Sequence, residues 1–183
     1  NEDVVPEPDL VMETFDITLE TNSNADGWNY VSFNLIPVDS SLDAILDGIT
    51  GRDDRVMYFD ASTGMWYSYV PGWPPHFNNL NNWNHRMGIW IRMTDDATLT
   101  LEGTKPTDTS LTLEPGWNMV GLPSSQIGNH GLPGEISHVG YFDASAANNI
   151  AYDMDPASFN FEPGEGYWLY NSAEYVVTWT IDY

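Results

Sequence analysis

From Met12 to Glu20 the chain alternates. Phe15, Ile17 and Leu19 are separated by Thr14, Asp16, Thr18 and Glu20, the period-two pattern of a strand with one buried face. Ser110-Leu111-Thr112-Leu113-Glu114 repeats it. Further short apolar runs, bounded by Gly, Pro, Asn and Asp, predict strands at 56–60, 65–69, 88–93 and 98–102, and again at 139–143, 166–170 and 175–181. One stretch has a different period. Leu42, Ile45, Leu46 and Ile49 fall at helical spacing, with Ser40 or Ser41 to cap the start and Gly51 to end it. Many short strands with regular turn residues and one short helix predict an all-β chain of antiparallel strands, sandwich or barrel-like.

The same order of motifs occurs twice. Gly27-Trp28-Asn29-Tyr30-Val31 returns as Gly116-Trp117-Asn118-Met119-Val120. The run from Val56 to Ser62 returns from Val139 to Ser145, and Gly88-Ile89-Trp90-Ile91 returns as Gly166-Tyr167-Trp168-Leu169. Three matches in one order mark an internal duplication. The chain divides into an extended arm at 1–13, a first β repeat at 14–104 and a second at 108–183, joined through the segment around Lys105-Pro106. The helix belongs to the first repeat and is abbreviated in the second. Because Trp buries a large area, the repeated Trp28, Trp90, Trp117 and Trp168 are expected in the core. A shared scaffold of aromatic, glycine and aliphatic residues performs no acid–base or nucleophilic chemistry.

Composition narrows the function classes. With 27 acidic and 5 basic residues the formal charge is -22, a surface that repels phosphate backbones and anionic membranes, so nucleic acid is not an expected partner. No apolar run reaches the roughly 20 residues of a spanning helix, so no membrane insertion is expected. There is no Cys, which removes disulfides, thiol catalysis and Cys-based zinc sites. Few Lys, abundant Asn, Gly and Trp, and a first residue of Asn fit a secreted or cell-surface chain whose leader has been removed.

The order Gly-Trp-Asn-aliphatic-Val, Pro, a Tyr-Phe-Asp strand and then Gly-aromatic-Trp resembles a tandem module of secreted and cell-surface proteins of archaea and bacteria, methanogens among them. There the strings read approximately Gly-Trp-Asn-Leu-Val-Ser-Leu-Pro and Pro-Gly-Lys-Gly-Tyr-Trp. Gly27 to Pro37, Gly116 to Pro123, Met87 to Trp90 and Pro163 to Trp168 hold those positions here. The resemblance covers nearly all the chain after Thr14. It implies a structural or adhesive appendage and not an enzyme.

Four sets of residues carry candidate chemistry. The first repeat holds a long insert, 71–85, that the second lacks; it is expected at the surface. Its Trp73, His76, Phe77, Trp83 and His85, among many Asn, offer flat rings for sugar CH faces and amides for hydroxyls. The alternative is a loop that folds its own aromatics over the end of the sandwich or packs on a neighbouring subunit. Asn22, Asn24 and Asp26 before Gly27 match the first half of a calcium loop, but Phe33 stands where the bidentate Glu belongs. An ordinary Asn/Asp/Gly turn is the reading these residues favour over a calcium loop. Val4, Val5, Leu10 and Val11 give the Pro-containing arm apolar side chains to dock on a sheet edge of its own chain or a neighbour's. The four His show no zinc-protease spacing and no carboxylate pair is singled out, so no catalytic residue is assigned. The expected function is an extracellular structural or assembly subunit of a surface layer, sheath or filament, or an adhesion module, self-associating and with calcium as its candidate cofactor. The alternative is a carbohydrate-binding module that uses the 71–85 loop on a polysaccharide.

Overall fold

The computed structural model describes residues 11–146 and 149–183. All named strand pairs in it are antiparallel, and each repeat forms two sheets facing each other across its own core. In the first repeat, β2 (Trp28–Val31), β6 (Ile89–Met93), β4 (Asp53–Asp60) and β5 (Met65–Tyr69) lie in that order. They face a three-stranded sheet of β1 (Met12–Leu19), β7 (Ala97–Thr104) and β3 (Ile36–Pro37). In the second repeat, β11 (Ile150–Asp153), β10 (Ile136–Phe142), β12 (Gly166–Asn171) and β9 (Gly116–Gly121) face the pair β13 (Val177–Thr180) and β8 (Ser110–Leu113). The chain is therefore all-β, and its two units are sandwiches; among the described residues no barrel closes. The alternation read from the sequence is the burial pattern observed. Ile17 and Leu19 of β1 and Leu99 and Leu101 of β7 meet Val31, Val56, Ile89 and Ile91 in one core. Leu111, Leu113, Val120, Val139, Leu169 and Trp179 do the same in the other.

The duplicated Gly-Trp-Asn has one mechanical explanation in both repeats. Gly27 and Gly116 stand at φ +78° and +91°, backbone that a side chain rarely adopts. The turn this creates leads from the first strand of each repeat into the second. The following Asn points into the sandwich and holds the turn closed. Asn118 accepts from the Glu114 amide at 2.8 Å and donates to the carbonyls of Glu114 and Gly116 at 2.7 and 3.0 Å. Asn29 does the same with Glu20 at 3.1 and 2.8 Å and with Gly27 at 3.0 Å. An amide carries both donors and acceptor for this task; no other side chain of its size does.

The Trp residues of the motif take the opposite face. Trp28, Trp90, Trp117 and Trp168 are half-buried and belong to neither core, contrary to the expectation from composition. Strand alternation dictates this, because the neighbouring Asn29 and Ile91, or Asn118 and Leu169, occupy the core face. The outer faces of the two large sheets then pack on each other, and the contacts are exchanged reciprocally. Phe59 meets Trp168 at 5.7 Å between ring centroids, and the equivalent Phe142 meets Trp90 at 6.0 Å. The Ser32 amide donates to the Gly164 carbonyl and the equivalent Gly121 amide to Arg86, both at 2.8 Å. Such exchange is the mark of an isologous, pseudo-two-fold contact. Its centre needs glycine: a Cβ on Gly88 would lie 2.3 Å from the Val120 carbonyl oxygen, and one on Gly166 2.5 Å from the Tyr30 ring. Tyr30 closes the seam, its hydroxyl donating to the Tyr167 carbonyl at 2.6 Å.

The helical periodicity yields α1 (Leu42–Ile45), capped by Ser41, followed by a single 3-10 turn at Asp47–Ile49. Met12 and Glu13, assigned to the arm from sequence, are paired in β1 with Thr104 and Gly103. Val11 is 70% exposed at the root of the arm; Val4, Val5 and Leu10 lie outside the described residues. Among the described residues no helix is long and apolar enough to cross a membrane.

Candidate functional site

The insert between β5 and β6 has two halves with different work. Its second half is an anchor. Trp83 is fully buried at 0% exposure, packs on Phe33 at 4.6 Å, and donates its indole N–H to the Met87 carbonyl at 3.0 Å. Leu80 enters the same core. His85 is buried too, its Nε2 3.3 Å from the Asp108 carbonyl oxygen; burial pushes its pKa below the ordinary imidazole range. Trp83 and His85, read from sequence as ligand-facing, are thus corrected to structural residues. A loop this long needs apolar side chains to hold it to the sandwich, and composition does not reveal which of several aromatics serve.

The first half projects. Trp73 is 53% and Phe77 62% exposed. His76 lies over Phe77 at 4.3 Å, and the edge of Phe77 meets Trp73 at 6.2 Å. The loop returns along the free edge of β5, where amides occupy the strand's unpaired backbone groups. Asn79 Oδ1 accepts from the Ser68 amide at 2.7 Å and Asn78 Oδ1 from Val70 at 2.9 Å. Those two Asn are therefore edge caps, a device that blocks further strand pairing there.

Between the projecting half, β5 and the start of α1 lies a cleft of about 450 Å³, lined by Ser41, Asp43, Tyr69, Trp73, Asn81 and Asn82 among others. The Tyr69 hydroxyl donates to Asp43 Oδ1 at 2.5 Å. Burial, and then that carboxylate, push the phenol up to about 12. It is therefore a fixed donor at neutral pH, held to a carboxylate that lines the cleft. Asn82 accepts from the Ser40 hydroxyl at 3.3 Å, and the Asn81 carbonyl accepts the Leu42 amide at 2.9 Å, which holds the helix start against the loop. An aromatic face, a carboxylate oxygen and amides thus converge on one volume. Of the residues read from sequence Trp73 lines it, while Phe77 packs on Trp73 and His76 on Phe77 outside the lining. Ser41, Asp43 and Tyr69 were not foreseen; the helix start and the strand end that bring them to the loop are far from each other in sequence.

A second cleft, of about 480 Å³, lies between the repeats against Tyr58, Asp60, Arg86, Asp108 and Asn118. Several of its polar groups are already engaged. Arg86 pairs with Asp108 at 2.8 Å and donates to the Ser110 carbonyl, and Asn118 is the turn clamp. At the calcium-like turn, the Asn22 carbonyl accepts the Ala25 and Gly27 amides at 2.8 and 3.3 Å. Asn24 lies in the resulting 3-10 turn, Ser23–Ala25. Asp26 Oδ2 lies 3.9 Å from the Arg92 guanidinium. Among the described residues no group of three or more His, Asp or Glu is arranged to hold a metal.

No family model, curated protein or solved structure matches this chain.

Proposed function

We propose that this chain is a secreted or cell-surface binding module, not an enzyme, that recognises neutral carbohydrate in the Trp73 cleft. The observation that carries the reading is the cleft itself: an exposed indole beside an oriented Tyr69–Asp43 pair and Asn amides, on a loop that only the first repeat possesses. A sugar offers apolar CH groups on its ring faces and hydroxyls at its edges. The indole takes the first and the carboxylate and amides the second. The volume fits the range of about 300–1,000 Å³ for small-ligand clefts. Native electrophoresis of the full chain through gels containing soluble neutral polysaccharides tests it. Retardation of the wild type by at least one polysaccharide, strongly reduced in Trp73→Ala and weakened in Asn81→Ala, is the expected result. A wild type that migrates unretarded through all of them, or a Trp73→Ala chain retarded as strongly, defeats the reading.

A second reading, an assembly subunit, is favoured by β1. This strand has β7 as its one sheet neighbour among the described residues, and exposed Val11 and Met12 stand at its start. An arm from a neighbouring copy could add to such an edge. With a charge of -22, contacts between copies would gain from shared calcium. Light scattering with calcium and with chelator separates the readings: particles that grow with calcium support assembly, and a monomer under both conditions removes it.

A further inference from the structure

The seam between the repeats leaves a second aromatic depression on the opposite face of the first large sheet from its core. Trp28, Met57, Trp66 and Trp90 of the first repeat line it, together with Asn149 from the β10–β11 hairpin of the second. Its volume is about 320 Å³, at the lower end of the roughly 300–1,000 Å³ seen for small-ligand clefts. Trp28 and Trp90 meet edge to face at 6.2 Å and 88°, so their rings form two walls of a corner. Trp66, 47% exposed, is braced from behind by Trp168 at 5.9 Å. Asn149 is held at φ +60°, a conformation in which Asn is tolerated. The hairpin fixes it through its amide to the Ala146 carbonyl and its own carbonyl to the Asp143 amide. The seam sets both halves of the depression.

We infer that this depression is a second binding site, for a single ring of neutral sugar, built jointly by the two repeats. The surrounding charges select among occupants. An aromatic corner also suits an onium cation, but a cation is already there: the Arg92 guanidinium lies 5.7 Å from the Trp28 ring centre, held by Asp54 at 2.6 and 2.7 Å. Arg55 stands beside Arg92 in register, exposed and with no acidic partner among the described residues. A second cation at the Trp28 ring would compete with Arg92. A polyanion would meet a chain of net charge -22. An acyl chain would stay partly in water, because the depression is open. A second copy of the chain needs a broad face of about 800 Å² per partner, not a small three-walled hollow. A neutral pyranose places CH faces on Trp66 and Trp28 and a hydroxyl on the Asn149 amide.

The site does not depend on the Trp73 cleft, and one experiment reports on the two separately. Indole N–H resonances of the ¹⁵N-labelled full chain are assigned by single Trp substitutions. They are then titrated with the methyl glycosides of glucose, galactose, mannose and N-acetylglucosamine, and with sodium glucuronate and tetramethylammonium chloride in parallel arms. The result expected is saturable movement of the Trp28 and Trp66 resonances with at least one neutral glycoside. Trp66→Ala and Asn149→Gly, on opposite repeats, should each weaken it by about tenfold, the scale of one lost stacking or hydrogen-bonding partner. Glycine at 149 keeps the left-handed backbone and removes only the amide. Three results overturn the inference: no neutral glycoside moves these resonances, glucuronate or tetramethylammonium moves them at lower concentration than any neutral sugar, or dilution alone moves them, which would make the face a contact between copies. Movement confined to Trp73 overturns it as well, and leaves the Trp73 cleft standing.

Discussion

Asp53 has an oxygen that nothing answers. It is 5% exposed, and its Oδ2 has no hydrogen-bond partner among the described residues. Burial, its main cause of shift, raises its pKa above the ordinary carboxylate value. The sign of the pH effect follows. Between the ordinary value and the raised one the folded chain binds a proton that the unfolded chain does not, so this residue adds stability as pH falls through its folded pKa and costs stability at neutral pH. Asp53→Asn should raise the thermal midpoint at pH 7, and the gain should shrink at an acid pH, where the wild-type carboxyl, its pKa raised, takes up its own proton. Calorimetry at the two pH values checks it; a midpoint lowered at pH 7 would mean that the carboxylate has a partner. Trp83 teaches a related lesson about single residues. Trp73 and Trp83 are ten positions apart in the same aromatic, amide-rich loop, yet one is a wall of a cleft and the other a plug in the core. Nothing local separates them. The difference lies chiefly in Phe33, distant in sequence, on which Trp83 packs in the core.

At the scale of elements, periodicity was a sound guide because a half-buried strand must alternate whatever its neighbours are. β1, β4, β6, β8 and β12 lie where the alternation and the repeats put them. It also revealed which positions share a face, but not which of the two faces meets the hydrophobic core. Both faces of the large sheets are apolar here, one against the small sheet and one against the other repeat. The motif Asn was legible as a turn residue, while its role as a three-bond clamp required the backbone geometry of the preceding strand. Asn118→Ala removes those bonds and leaves the Glu114 amide without its acceptor. At about 1 kcal/mol per net hydrogen bond, with an added penalty for the orphaned donor, the expected loss is roughly 2–4 kcal/mol. Denaturant unfolding at unchanged slope should show it. A loss below about 0.5 kcal/mol, the range of ordinary surface changes, would mean that the turn closes without the amide.

At the scale of the whole molecule, duplication and function separate. Residues present in both repeats build the turns, the cores and the pseudo-two-fold seam; the Trp73 loop is present in one repeat only. The seam was not legible in the sequence, since aromatic residues that join two repeats are compositionally the same as aromatic residues that fill one. The reciprocal contacts of Phe59 with Trp168 and Phe142 with Trp90 show the distinction. On the proposed function, stability belongs to the repeated Trp168 and recognition to the unrepeated Trp73. Thermal midpoint and polysaccharide retention, measured together on Trp73→Ala and Trp168→Ala, test that division directly. Trp73→Ala should keep the wild-type midpoint and lose retention at its cleft. Trp168→Ala, which empties half the seam, should lose about 2–3 kcal/mol, a fall of roughly 5–10 °C, and its folded fraction should still be retained through Trp73. Equal falls in midpoint, or retention that is lost in Trp168→Ala and kept in Trp73→Ala, would contradict the account.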